Sequence, residues 1–265
     1  MPAPSATYLD RIVAAHRRAA GADRRDVAEL AARAAACPPA RGFADALRRD
    51  AVSGLAVIAE VKRRSPSKGD LAASLVPAEV ARAYVDGGAS CLSVLTDEEF
   101  FGGSAADLGE ARGAVAVPVL RKDFTVAEAD VYDARLMGAD AVLLIVAALA
   151  DDELATFHRA AAEVGLDVLV EVHDEAELDR ALAVGARVVG VNQRDLVTFE
   201  VDHARAERMA GRIPDGVVKV AESGVRHADD ARRLRDAGYH AVLVGESVVT
   251  SDDRAAAVRA LREVV

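Results

Sequence analysis

The chain has 265 residues, 52% of them hydrophobic and 4% aromatic, with a formal net charge of −10 at pH 7. That length supports one large core, as an α/β barrel or as two small domains. The acidic balance argues against a general nucleic-acid-binding or anionic-membrane surface, but it leaves room for a local basic pocket around a small anion.

The opening Met1-Pro2-Ala3-Pro4-Ser5-Ala6-Thr7-Tyr8 has neither a charged n-region nor an apolar h-region, so no signal peptide is expected. Residues 1–54 read as helical. Tyr8, Ile12 and Val13 begin one amphipathic pattern, and Val27, Leu30, Ala31 and Ala34 form another at spacings of three and four. Cys37-Pro38-Pro39 breaks it, and Phe43, Leu47 and Val52 resume. Two placements fit this extension: a lid over the rest of the chain, or a cover for the bottom of its core. His16, in the first helix, is expected at the surface. Cys37 and Cys91 show no metal spacing and read as reduced thiols of a cytoplasmic protein.

From residue 55 to 265 short apolar runs alternate with longer amphipathic segments. The runs are Leu55–Val61, Cys91–Leu95, Val117–Leu120, Ala141–Val146, Asp167–Val172, Val188–Val191, Val217–Ala221 and Ala241–Val244. Between them lie Pro77–Gly87, Val126–Met137, Asp151–Val164, Asp174–Val184, His203–Ala210, Arg226–Ala237 and Asp253–Val264. Several of these segments start with a capping residue or Pro, and Gly138, Gly165, Gly185 and Gly238 come after helices as C-caps do. Runs without polar alternation mean strands buried on both faces, hence a parallel sheet built of βαβ units. About eight such units close a (β/α)8 TIM barrel. A doubly wound open sheet would usually carry an early G-x-G-x-x-G after its first strand, and none is present. No linker divides the repeats, so one domain is expected: a helical N-terminal extension over 1–54 and a barrel over 55–265. The longest apolar run, Ala141 to Ala150, is about half of the roughly 20 residues that a membrane span needs.

Barrel enzymes place their chemistry at the C-terminal ends of the strands. Here those ends read Glu60 and Lys62, Thr96 with the loop to Ser104, Arg121-Lys122-Asp123-Phe124, Glu171, Asn192-Gln193-Arg194-Asp195, Glu222-Ser223-Gly224 and Gly245-Glu246-Ser247. The fourth run is the exception and ends in Ala147-Ala148. In one stretch, Val57 to Gly69, residues i and i+2 of a strand put Glu60 and Lys62 on one face before a basic Ser- and Gly-containing loop, a place for an anion. The loops after the last two strands commonly hold phosphate in barrels. Gly224 and Gly245 would let backbone N–H groups approach closely, Ser223 adds a hydroxyl, and Glu246 would donate its N–H while its carboxylate points to solvent. Lys62, Lys122, Glu171 and Glu222 would crowd one mouth, where burial and opposite charges tune acids and bases. Phe101 and Phe124 would wall an aromatic substrate or pack against the loops. His158, His173, His203, His227 and His240 form no ligand spacing, so no metal is expected.

These residues resemble the signature of indole-3-glycerol phosphate synthases. The resemblance runs through Ile58-Ala59-Glu60-Val61-Lys62-Arg63-Arg64-Ser65-Pro66-Ser67, Leu92 to Glu98, Phe100 to Ser104 and Val119 to Phe124. It continues through Val170 to Glu175, Gly190 to Leu196, Ala221 to Gly224 and Val244 to Glu246, so it covers the chain from about residue 50 onward. It implies a decarboxylating, dehydrating ring closure of 1-(2-carboxyphenylamino)-1-deoxyribulose 5-phosphate to indole-3-glycerol phosphate, carbon dioxide and water, in tryptophan biosynthesis, without a cofactor. It implies Lys122 as general acid, with Lys62 holding the carboxylate or phosphate and sharing acid duty. Glu171 would be the acid or base of the dehydration, and Glu60 and Glu222 would steady cationic intermediates. Asn192 and Arg194 would orient the substrate, Phe101 and Phe124 would flank its ring, and Ser65, Ser223, Gly224, Gly245 and Glu246 would surround the phosphate. A monomer that meets neither nucleic acid nor membrane is implied as well. Gly102 stands where the family often has a polar residue, which is expected to loosen that loop. The rivals are a phosphoribosyl-anthranilate or histidine-pathway isomerase, disfavoured by Glu60 and Lys62 at the first strand end, and a barrel that only binds a phosphorylated metabolite.

Overall fold

The computed structural model describes residues 7–195 and 197–264. The opening stretch up to Ala6, where no signal peptide is expected, lies outside the described residues, as do Leu196 and Val265. In chain order the extension forms α1 (Tyr8–Ala22), α2 (Val27–Ala35) and α3 (Phe43–Asp50). The chain then runs through β1 (Ala56–Val61), a small hairpin of β2 (Arg64–Ser65) and β3 (Gly69–Asp70), α4 (Pro77–Asp86), β4 (Cys91–Leu95), α5 (Ala105–Ala114), β5 (Val119–Lys122) and α6 (Glu128–Leu136). It continues with β6 (Ala141–Ile145), α7 (Asp151–Glu163), β7 (Asp167–Val172), α8 (Glu175–Ala183), β8 (Val188–Asn192) and α9 (His203–Ala210). Last come β9 (Val218–Glu222), α10 (Ala228–Asp236), β10 (Ala241–Val244), the short α11 (Glu246–Val249) and α12 (Arg254–Arg262).

The eight long strands close in the order β1-β10-β9-β8-β7-β6-β5-β4, and β1 pairs in parallel with both β4 and β10. The chain is therefore a (β/α)8 TIM barrel with helices around it. Two of the sequence-based expectations shift in detail. Residues 105–114 form a crossover helix that the apolar pattern does not announce, because they hold two glycines, Gly109 and Gly113, and one large apolar residue, Leu108. The basic loop after β1 folds back as a hairpin, with Arg64 opposite Asp70.

The extension does both of the jobs considered for it. Phe43, Ala44, Ala46 and Leu47 of α3 pack into one cluster with Ala56, Ile58, Cys91, Val218 and Val220, and so stopper the barrel floor. Two strand-entry aspartates hold this floor: Asp167 Oδ2 accepts the Ala44 N–H at 2.9 Å, and Asp140 Oδ1 accepts the Arg41 N–H at 2.9 Å. α1 goes to the opposite end, where Tyr8, Leu9 and Ile12 line the mouth.

The strand period explains why charge gathers at that mouth. Along β1, Ala56 and Ile58 face the axis with Leu120, Leu143, Leu169, Val220 and Leu243, while Val57, Ala59 and Val61 face the helices. Two residues further along the inward face come Glu60, then Lys62. The same step leads from Leu120 to Lys122, from Leu169 to Glu171, from Gly190 to Asn192 and from Val220 to Glu222. The interior is hydrocarbon below and ionisable at its top layer. Among the described residues no helix is long and apolar enough to cross a membrane.

Candidate active site

At the C-terminal mouth opens a cavity of about 690 Å³. It is lined by Glu60, Lys62, Ser65, Phe101, Lys122, Phe124, Glu171, Asn192, Arg194, Glu222, Ser223, Gly224, Gly245 and Glu246, so every residue expected at the site meets there. Lys62 Nζ lies 2.5 Å from Glu60 Oε1, and Ser93 Oγ donates to Glu60 Oε2 at 3.4 Å. Lys122 Nζ donates to Glu171 Oε2 at 3.3 Å and stands 3.9 Å from Glu222 Oε2. Asn192 Nδ2 donates to Glu171 Oε1 at 3.0 Å, and its Oδ1 accepts the Arg194 N–H at 3.0 Å, which locks the amide.

The innermost groups are two lysines and three glutamates, all largely buried, so that the carboxyls crowd one another around the amines. Burial, together with the neighbouring Glu171, pushes the Glu222 carboxyl well above its ordinary range. Burial also works against an ionised Glu171, but Lys122, His173 and the Asn192 amide outweigh it and hold that carboxyl low. Lys122 is desolvated too, yet Glu171, Glu222 and Glu60 hold its ammonium on, with a pKa above the ordinary value. The mouth thus sets Lys122 between Glu171, whose carboxyl is held low, and Glu222, whose carboxyl is pushed up. That is an acid and a base prepared side by side.

Two glycines that sequence reasoning had assigned to other tasks, or overlooked, make this crowding possible. A Cβ on Gly190 in β8 would stand 2.1 Å from Glu222 Oε1. A Cβ on Gly245 would stand 2.5 Å from Glu60 Oε1 and 2.9 Å from Lys62 Nζ. Gly190 was legible as a glycine interrupting a run of valines, a sign of close approach by another group.

Around the mouth, Phe101 and Phe124 lie with ring centroids 6.3 Å apart and wall one side of the cavity. Ser223 and Gly224 turn through left-handed backbone, at φ 66° and 75°, which aims this loop at the cavity at a steric cost for the serine. Arg194 is partly committed, since its Nη1 donates to the Phe199 carbonyl at 3.0 Å. The Glu246 side chain is exposed, as expected, and its carboxylate also lies 3.7 Å from the exposed Lys68 Nζ of the loop after β1. Gly102 was expected to loosen its loop. It occupies left-handed backbone at φ 65°, where glycine is the unstrained residue, and Asp97 Oδ1 ties the loop by accepting the Phe100 and Phe101 N–H groups at 2.6 and 2.9 Å.

His16 is not the surface residue expected from its helix. Its Nε2 lies 2.8 Å from Asp97 Oδ2 and 3.8 Å from Asp123 Oδ1, and its ring sits 5.4 Å from that of Phe124. Histidine spacing along the chain gives no ligand set, yet folding brings His16, Asp97 and Asp123 within 4.8 Å of one another. Both carboxylates are already satisfied, Asp97 by loop N–H groups and Asp123 Oδ2 by Thr96 and Arg121, so the trio reads as an anchor for α1. Burial depresses the imidazole, but the hydrogen bond to Asp97 and the charges of Asp123, Asp97 and Asp130 prevail, and its pKa is raised. A raised histidine stabilises most below its unfolded value of about 6.5 and loses that contribution as pH climbs through the folded value. His16→Ala is expected to loosen α1 and raise KM about fivefold, the equivalent of about 1 kcal/mol, with kcat within twofold. Steady-state kinetics at pH 6.5 and 8.5 check it: the KM gap between variant and parent narrows at the higher pH.

Comparison with known proteins agrees with this geometry. The family model for indole-3-glycerol phosphate synthase matches residues 9–261. Indole-3-glycerol phosphate synthase 2 of Streptomyces coelicolor is 54% identical over 237 residues, covering 89% of this chain and 91% of the relative. The Arthrobacter sp. enzyme is 51% identical over 248 residues, covering 92% and 91%, and that of Mycobacterium avium is 49% identical over 255 residues, covering 96% and 93%. Among solved structures, thiamine phosphate pyrophosphorylase from Pyrococcus furiosus superposes with a TM-score of 0.60 at 17% identity, covering 81% of this chain and 96% of that one. The N-acetylmannosamine-6-phosphate 2-epimerase from Clostridium perfringens gives 0.60 at 13% identity, covering 75% and 90%; both likenesses are of fold alone. With lysines and glutamates converging on one barrel mouth and a family match along nearly the whole chain, the chain belongs to the indole-3-glycerol phosphate synthase family.

Proposed function

We propose that this mouth closes the indole ring of 1-(2-carboxyphenylamino)-1-deoxyribulose 5-phosphate, with the chemistry divided between its lysines and glutamates. Lys122, held as an ammonium among three carboxylates, protonates the substrate carbonyl oxygen as the ring carbon bearing the carboxylate attacks the carbonyl carbon. Loss of carbon dioxide returns the bonding electrons to the ring. The new hydroxyl then takes a proton from Lys62 and leaves as water, while Glu171, ionised beside Lys122, takes the proton released from the adjacent carbon as the indole double bond forms; that proton and one from solvent recharge the two lysines. The sum of these steps is indole-3-glycerol phosphate, carbon dioxide and water, with no electron donor or acceptor needed.

Lys62, steadied by Glu60, holds the substrate carboxylate or phosphate and shares acid duty. Glu60 and Glu222 steady the cationic intermediate. Asn192 positions Glu171 and, with Arg194, orients the sugar. Phe101 and Phe124 flank the aryl ring, and Ser65, Ser223 and the backbone of Gly224, Gly245 and Glu246 receive the phosphate. The observation that carries this reading is the convergence of Lys122 Nζ on Glu171 Oε2 at 3.3 Å and Glu222 Oε2 at 3.9 Å in the cavity.

All these groups come from one barrel, which supports a monomer, and the free thiols Cys37 and Cys91 suit the cytoplasm. Incubating the purified chain with the carboxyphenylamino sugar phosphate tests the reading: indole fluorescence rises with release of one carbon dioxide per product. Substrate that is bound but unchanged would leave a barrel that only binds.

A further inference from the structure

The inward face of β7 does not stop at Glu171. Two residues on, His173 stands behind that carboxylate, away from the cavity. Its ring is held from one side by α8, where Glu177 Oε2 lies 3.0 Å from Nδ1 and also accepts the His173 backbone N–H at 2.7 Å. On the other side Nε2 lies 3.5 Å from Glu171 Oε1, the oxygen that accepts from Asn192. That Nε2 is sealed from solvent without a hydrogen-bond partner. A buried polar nitrogen left in this state calls for an explanation, and the acceptor before it is Glu171.

We infer that His173 is a positioning residue for the ring closure: anchored by Glu177, it presents an Nε2–H to Glu171, keeps that carboxylate ionised and aims it into the cavity. The inference rests on the reading of Glu171 as the group that takes a proton in the dehydration. The array is a carboxylate, an imidazole and a second carboxylate in line, the last being the reacting one.

The charged groups facing the ring are Glu171 from its own strand, Glu177 from α8 and Arg205 from α9. Arg205 opposes protonation, and its Nη1 is turned onto the Asn192 carbonyl at 2.9 Å. Burial lowers the imidazole, but the hydrogen bond to Glu177 and the two carboxylate charges outweigh both, and its pKa is raised. A cation behind Glu171 depresses the carboxyl pKa, so removing the cation raises that pKa and leaves less of the base ionised at low pH.

A purely structural histidine would behave differently. The end of β7 is already tied to α8 by the His173 N–H and by Asp174, whose side chain accepts the Glu177 N–H at 2.8 Å. Neither bond needs the imidazole.

The test is the pH profile of kcat for the whole purified chain. In His173→Asn the acid limb is expected to move up by about one pH unit, so that kcat falls by up to about tenfold on the acid side of the limb and by less than about twofold above about pH 7, with KM within threefold. Glu177→Gln, which keeps the backbone contact, should move the limb in the same direction by less; it decides the matter if His173→Asn does not fold. An acid limb that stays in place in a folded variant overturns the inference. Glu171→Gln separates the two readings. If it retains turnover, the role of Glu171 falls and takes this inference with it. If it is inactive while the His173→Asn limb is unmoved, only the positioning role of His173 is lost.

Discussion

Lys122→Ala is expected to lower kcat by more than about a thousandfold while substrate affinity stays within about tenfold, a difference of ~1.4 kcal/mol or less. The loss has two parts. The general acid itself contributes on the order of a hundred- to ten-thousandfold. Its removal also disarms the base: Glu171 and Glu222 would face each other without the ammonium that lies 3.3 and 3.9 Å from them, and Glu171 would join Glu222 in being driven toward the neutral form. Affinity is expected to survive because, as proposed, the phosphate and the aryl ring are held elsewhere, by the loops after β9 and β10 and by Phe101 and Phe124, which line the same cavity. Single-turnover kinetics with a separate binding isotherm check both halves, and turnover near the parent's would remove Lys122 from the mechanism.

Gly190→Ala is expected to cost about a hundredfold in kcat with only a few degrees of melting temperature, although it adds one methyl group to a residue with no chemistry of its own. The new Cβ would lie 2.1 Å from Glu222 Oε1 and 3.1 Å from both Glu222 Cδ and Leu169 Cδ1. Backbone pairing fixes both sides: Gly190 sits opposite Glu171 on β7, and its neighbour position Asn192 sits opposite Glu222 on β9. The carboxylate must therefore swing away from its present place beside Lys122. Overpacking of this kind costs about 1–3 kcal/mol in stability, and a displacement of about 1 Å at reacting groups costs about a hundredfold in rate. Calorimetry beside steady-state kinetics checks the split. A kcat within threefold of the parent's would mean that Glu222 need not stand where it does.

The barrel was legible because its signals are local. Apolar runs such as Ala141–Val146 and Val188–Val191 are long enough to read as strands buried on both faces, and the glycines after helices marked the returns. The polar strand ends were legible for a related reason, since a period of two carries the inward face from Leu169 to Glu171 and from Val220 to Glu222 without knowledge of any partner. What escaped depends on partners far off in the chain. His16 looks like one more polar residue of a surface helix until Asp97, 81 positions away, is brought to it. His173 reads as a strand-end histidine until Glu177 and Glu171 are seen on its two nitrogens. α5 escaped for the opposite reason: its sequence carries too little apolar signal, and packing against the barrel decides its structure.

The stopper that α3 sets into the floor makes the chamber a blind pit. Among the described residues the mouth is the opening that the cavity presents, and it is the one the reactant enters by. If the ring closes as proposed, carbon dioxide and water are both made beneath it, so each has to slip past it, and past α1 at the rim, before the glycerol phosphate can depart. The rim helix therefore acts on capture of the reactant at that mouth rather than on the steps in the pit.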